Sequence, residues 1–306
     1  MQVLDDFAAW MDRHYAPNYT RTCVSTAKKL LKALGAKISS DDFKELVTLP
    51  KQRSFNDDKV NAEQIRRIVL ALKHHGLKVL LMLMKDSQAR PYEILGLQLQ
   101  HFNLNYEPAY FAIPAERAKS DVPRECFFSN ETKEMLTAYL HNASITTDEQ
   151  YLFLGKGYRP PDDKELQRRI KQVEHQFETY FRNLMLKKEF ADLNKPVNKQ
   201  GKALRYKYHI YSFKKYCFTI VADTLGETAA RATKGDREYV LTYYKKSREE
   251  RAKDYLKVMP KLLVFTPDPS EKTLKQIESA MNSMDDEELR NMLEFCKRNG
   301  KGILSE

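Results

Sequence analysis

The chain has 306 residues, 42% hydrophobic and 31% charged, and 52 Lys and Arg against 42 Asp and Glu give a net charge of +10. That length can hold two domains with real cores. The longest apolar run, Val79 to Met84, falls far short of the roughly 18 residues of a membrane span.

The opening MQVLDDFAAW is acidic and has no basic n-region, so no signal peptide is expected. Cys23, Cys126, Cys217 and Cys296 are scattered and never form CxxC, which argues against disulfides and zinc and for the reducing cytoplasm. The charge is unevenly placed. Residues 1–50 carry +1 and residues 258–306 carry −2, so residues 51–257 carry +11. A polyanion such as duplex DNA suits a basic block of this kind.

In chain order, the spacing of Val3, Leu4, Phe7 and Trp10 predicts a helix over 3–13, and Val24, Ala27, Leu30, Leu31 and Leu34 predict a second over 18–34 that stops at Gly35. Ser39, Ser40 and Asp41 cap a short third helix through Leu46. The stretch Pro50 to Asp58 is polar and aperiodic, and reads as a linker. Asn61 and Gln64 form a capping-box pattern for a helix reaching Gly76, and an apolar helix follows from Leu77 to Lys85. Pro91 suits the first turn of another helix. Residues Phe102 to Phe128 switch to short apolar runs broken by Pro108, Pro114 and Pro123, the pattern of a small antiparallel sheet. Helical spacing returns over Glu131–Leu140 and Asp163–Lys188. A basic loop over 189–208 follows, then helices over 212–224, 227–232 and 247–257. The tail from Ser270 to Arg298 carries two amphipathic stretches, marked by Leu274, Ile277 and Met281 and then Leu289, Met292 and Phe295.

Four segments carry candidate chemistry. They are ARPYEILGLQLQHF, IPAERAKSDVPRECFFSNET, YHIYSFKKYCFT and KGDREYVLTYYKKSREERAKDYL. In order and spacing they resemble the tyrosine recombinases, the phage integrase family, most closely its archaeal members. The first segment resembles the arginine box, with Arg90 and then Glu93. The second resembles the β-hairpin that bears the catalytic lysine, here Lys119. The third resembles the H-x-x-R box, with Tyr211 and Lys214 where the family has His and Arg. The fourth resembles the Gly-His turn ahead of the nucleophilic tyrosine, with Asp236 in place of His and Tyr243 at the nucleophile position. The likeness covers residues 1–265.

The resemblance implies a mainly α fold of the α+β kind. Residues 1–50 would form a small helical core-binding domain and 51–58 a linker. Residues 59–265 would form an α-rich catalytic domain with a small antiparallel sheet, and 266–306 a helical tail. It implies a site-specific recombinase that cleaves and rejoins duplex DNA through a 3′-phosphotyrosyl link and needs no cofactor and no metal. Such enzymes assemble as tetramers on two DNA sites. Tyr243 would attack, Arg90 and Lys214 would hold the phosphate, and Lys119 would protonate the departing 5′ oxygen.

Read as residues, these positions keep other meanings. Arg90 also suits a helix-start pair with Glu93. Tyr211 can donate to a phosphate oxygen but is no base near neutral pH, and His209 stands two residues earlier as a substitute. Lys214 and Lys215 start a helix, where the dipole disfavours cations and favours an anion that would relieve them. Asp236 can orient Arg90 or Lys214, but fits best as a turn residue beside Gly235. Tyr244 fits a packed aromatic better than a nucleophile. The departures at 211, 214 and 236 also suit a DNA-binding protein on the same scaffold that has lost cleavage. There is no Walker loop, GxGxxG or HExxH.

Overall fold

The computed structural model describes residues 1–51, 60–194, 196–198, 205–206, 208–243 and 246–265, without the side chains at 196–198, 205–206 and 241–243. Most of the expected linker, Tyr244 and the tail from 266 therefore lie outside the described residues. The chain divides into two units, 1–262 and 263–306, and the first is described here. Mainly helical with a small antiparallel sheet, it is the fold class expected from the sequence. Among the described residues no helix is long and apolar enough to cross a membrane.

Residues 1–49 form three helices around a cluster of their own. Helices α1 (Gln2–His14), α2 (Pro17–Ala33) and α3 (Ser40–Leu46) pack Leu4, Ala8, Val24 and Val47 together, with Phe7, Leu31 and Phe43 closing the rim. The α3 start is the one its sequence predicts, with Ser39 Oγ accepting from Asp42 N at 2.9 Å.

The larger body is built on α5 (His75–Ser87), every residue of which from Gly76 to Ser87 is buried except the half-buried Lys78. Helix α4 (Ala62–Ala71) precedes it and opens on the expected Asn61–Gln64 capping box. The break between them falls earlier than the Gly76 stop read from sequence. His74 Nδ1 accepts from Leu77 N at 3.2 Å and caps α5 at its start. Gly76 is needed for closeness instead, since a Cβ there would sit 3.3 Å from the His74 ring and 3.4 Å from the Tyr139 hydroxyl. Around α5 stand α6 (Pro91–Leu95), α7 (Asn130–Asn142), α8 (Asp163–Met185), α9 (Tyr211–Leu225), α10 (Glu227–Lys234), α11 (Arg237–Tyr243) and α12 (Arg248–Leu262). The α8 helix shows how its sequence does this: Leu166, Ile170, Val173, Phe177, Phe181 and Leu184 recur at three- and four-residue steps and are all buried.

The sheet is β1 (Phe102–Asn103), β2 (Tyr110–Ile113) and β3 (Arg124–Phe127), all antiparallel, with Phe111 opposite Cys126 and Ile113 opposite Arg124. The reading of 189–208 as plain loop is corrected in part. It holds a 3-10 turn at Lys188–Phe190 and a pair of short strands, β4 (Pro196–Asn198) and β5 (Arg205–Tyr206). Helix α11 was not legible either, because its seven residues are too few for a periodic pattern to emerge.

One buried polar network ties the end of α5 to its neighbours. Asp86 accepts from Lys85 Nζ at 2.6 Å, Ser129 N at 3.0 Å, Ser129 Oγ at 2.7 Å and Thr132 Oγ1 at 2.5 Å. Lys85 also reaches Glu131 at 2.7 Å and the Leu262 carbonyl at 2.9 Å. Both Lys85 and Asp86 are fully buried, so either one alone would be a stranded charge. Asp86→Ala should cost about 3–5 kcal/mol in chemical denaturation, the usual loss when one partner of a buried pair is removed. A loss below about 1 kcal/mol, the range of an exposed pair, would contradict the network's role.

Candidate functional site

Three separate elements meet at the Glu93 carboxylate. It is fully buried and accepts from Arg124 Nη2 at 2.6 Å, Arg90 Nη1 at 3.1 Å, Arg90 N at 2.8 Å and Lys119 N at 3.2 Å. The Arg90 bonds arise locally: Pro91 starts α6, and Glu93 at its third position folds back onto the residue before the helix. Arg124 arrives from β3, where the alternation of the strand turns it inward beside Cys126. Burial alone would raise the Glu93 carboxyl, but Arg124 and then Arg90 outweigh it and hold it down at about 2.

The turn between α10 and α11 closes over this group. Gly235 has φ +88°, a left-handed value, and a Cβ there would lie 2.7 Å from the Arg124 guanidinium carbon. A glycine is thus demanded twice, by backbone and by contact. The Lys234 carbonyl approaches Arg90 Nη1 at 3.5 Å, and Asp236 pairs with Lys234 Nζ at 3.1 Å. The Asp236 carbonyl accepts from Tyr239 N at 3.0 Å and Val240 N at 2.9 Å, so Asp236 serves the turn and starts α11.

Lys214 projects into the same region from the first turn of α9. It is 9% exposed, and among the described residues its Nζ has no hydrogen-bond partner. Burial first, then Arg90, push its ammonium down to about 7; Arg124 and Lys234 add to this, while Glu93 works against it. Among the described residues no group hydrogen-bonds this buried cation, which is an uncommon and costly arrangement.

Of the residues read from sequence, the structure therefore brings together Arg90, Glu93, Lys214, the Lys119 backbone and the Asp236 turn. The Lys119 side chain itself is exposed, on the loop between β2 and β3. Tyr211 turns its hydroxyl to Glu174 on α8, 3.3 Å away. Its phenol is pushed up to about 12 by burial and then by that carboxylate. His209 lies edge-on to the Tyr211 ring at 6.2 Å, and both line a cavity of about 330 Å³ against α8. Tyr243 is the last residue of α11, its side chain outside the described part, and Tyr244 is outside altogether.

Arg124 and Lys234 were missed from sequence. An arginine in an apolar strand run directly after Pro123 was the available signal for Arg124. Lys234 had none, since its place follows from the Gly235 turn. Among the described residues no cluster of His, Cys, Asp and Glu could hold a metal ion.

No family model matches the chain, and no curated protein matches it. Solved structures do. An integrase from mycobacterium phage Brujita aligns with a TM-score of 0.47 at 13% identity, covering 90% of this chain and 83% of that one. The crystal structure of XerA recombinase aligns with a TM-score of 0.38 at 14% identity, covering 93% and 82%. A likeness this loose carries no activity with it, so the chemistry rests on the side chains described above.

The crowding of Lys214 has a measurable cost. Unfolded, the lysine keeps its proton up to about pH 10.4; folded, it loses it near 7. Its burden on stability is complete below about pH 7, shrinks as pH rises through the window between the two values, and ends above the unfolded one. Lys214→Met should therefore raise the unfolding free energy at neutral pH, by an amount on the order of a few kcal/mol, and that gain should fade toward about pH 10. A gain that is flat with pH would contradict the charge crowding.

Proposed function

We propose that this protein is a site-specific DNA recombinase, holding a backbone phosphate of duplex DNA at Arg90 and Lys214 and cleaving beside it with Tyr243. The observation that carries the reading is the Lys214 ammonium, buried next to the Arg90 and Arg124 guanidiniums and, among the described residues, without a hydrogen-bond partner. A phosphodiester supplies the missing counter-charge, and the α9 N-terminus adds its dipole. The same cations would stabilise the charge that grows on phosphorus-bound oxygens in the transition state.

In this reading the Tyr243 oxygen attacks phosphorus and the P–O5′ bond breaks. The 3′ end stays on the tyrosine and the 5′ oxygen leaves as a hydroxyl, protonated by Lys119. The incoming 5′ hydroxyl of another strand reverses the step, so the bond energy is retained and no cofactor enters. The position of α11 supports Tyr243: it begins at Arg237, directly after the turn that rests on Arg124, and ends at Tyr243. The sequence division belongs to the same proposal: 1–50 as a helical DNA-gripping domain, 59–265 as the catalytic domain, and 266–306 as a tail engaged in self-association. The +11 block over 51–257 supports duplex DNA as partner.

A second reading has its own observation. Tyr211 gives its hydroxyl to Glu174, and Lys214 is a point charge where a forked guanidinium would grip better. Both suit a DNA-binding protein of this scaffold that cleaves slowly or not at all.

A nicked duplex suicide substrate separates the two. The wild type should leave a covalent protein–DNA adduct on a denaturing gel. Tyr243→Phe should abolish it while DNA affinity stays within about twofold, and Arg90→Ala should slow it by on the order of 10²–10³. Absence of any adduct on the protein's own site would favour the binding-only reading, and an adduct lost with Tyr244→Phe instead would move the nucleophile by one residue.

A further inference from the structure

The anion site holds one cation that differs in kind from the rest. Arg90 and Arg124 keep their charge at any accessible pH. Both already hold a counter-charge in Glu93, and Lys234 holds one in Asp236. Lys214 has none: its Nζ is nine-tenths buried and without a hydrogen-bond partner among the described residues. A buried ammonium of this sort escapes its repulsion by giving up its proton, and regains a reason to hold it when an anion arrives.

We propose that Lys214 is a proton-linked phosphate receptor: an incoming phosphodiester draws a proton from water onto its buried Nζ. This rests on the reading of the site as a phosphate site and adds the protonation state in which it waits. The proton balance is simple. Neutral amine, anionic phosphodiester and one solvent proton become an ammonium–phosphate pair, with no bond to phosphorus made or broken.

The surroundings of Lys214 agree on every side. From the start of α6 come Arg90 and Glu93, from β3 Arg124 and Cys126, and from the end of α10 Lys234. On its own helix Cys217 lies within electrostatic reach, as does Cys126 across from it, and burial raises both thiols, which leaves them neutral. The acids on α5 and α12 are engaged elsewhere: Asp86 with Lys85, and Asp254 with Lys246 and Lys257. Among the described residues Glu93 is the carboxylate with the largest effect on Lys214, and it is already shared between two arginines. The free value of about 7 fits this arrangement. An arginine at position 214 could not behave this way, because it would stay charged in the empty site.

Calorimetric titration of the full chain in two buffers of different ionisation enthalpy counts the protons taken up. The probes are sulfate, which keeps its charge throughout this range, and a short duplex oligonucleotide. At about pH 8, roughly one unit above the free value, the wild type should take up most of one proton per bound sulfate. Its affinity should fall up to about tenfold per pH unit above neutrality. Lys214→Arg should bind sulfate with that uptake gone and the pH dependence flattened. Lys214→Met should bind at least about tenfold more weakly, also without uptake. Sulfate binding without proton uptake by the wild type, or undiminished uptake in Lys214→Arg, overturns the inference; the second result would assign the proton to another group. Proton-linked sulfate binding with no affinity for duplex DNA at low salt would leave the inference standing and overturn the DNA reading.

Discussion

The site depends on one carboxylate. Glu93 is buried, and it draws Arg90, Arg124 and the Lys119 backbone to a single point. Taking it out of water is costly, and the four donors offset that cost only because each comes from a rigid support: the start of α6, an inward strand position, and a short loop. The Gly235 turn then packs directly on the Arg124 side of the pair, where no side chain fits. Through Glu93, a helix start, a hairpin and the α10–α11 turn hold one geometry, although the turn lies more than a hundred residues beyond the other two in sequence.

That geometry concentrates positive charge beyond what Glu93 neutralises. Lys214 bears the excess, buried and, among the described residues, without a hydrogen-bond partner, at a site where a hydrophobic residue would be more stable. Folding gains nothing from such a group. A site kept in readiness for an anion does, because the ligand then meets donors already aimed and desolvated. A buried charge left without a hydrogen-bond partner marks where selection has favoured binding over stability. The Lys85–Asp86 network makes the contrast within the same protein. Equally buried, it pairs every charge and serves packing alone.

Much of this was legible in the sequence, for reasons that can be named. The long helices followed from apolar spacing, as in α8. The helix starts at Ser39, Asn61 and Pro91 followed from local capping chemistry, which a few neighbouring residues decide. The sheet followed from the change of period and the prolines around it. Arg90, Glu93 and Lys214 stood out because their segments resemble recombinase motifs, and Lys214 also as a cation at a helix start. Arg124 did not, because one charged residue at the start of a strand reads as an edge position until the fold shows what lies behind it. Tyr211 was placed near the phosphate by the resemblance of its segment to the H-x-x-R box, but its hydroxyl belongs to Glu174, a residue from another helix that no local pattern connects to it. Helix α11, the β4–β5 pair and the early end of α4 escaped because each is short and set by contacts made elsewhere.

The central claim is that the unpartnered Lys214 and the Glu93-held Arg90 form a receptor for a tetrahedral anion. The most direct measurement is a crystal structure of the full chain soaked with tungstate, whose scattering locates it without ambiguity. The account predicts one strong peak within hydrogen-bond distance of both Lys214 Nζ and the Arg90 guanidinium, with the Glu93–Arg124 pair unchanged beneath it. Tungstate found only elsewhere, with Lys214 still buried and unpartnered, would contradict it.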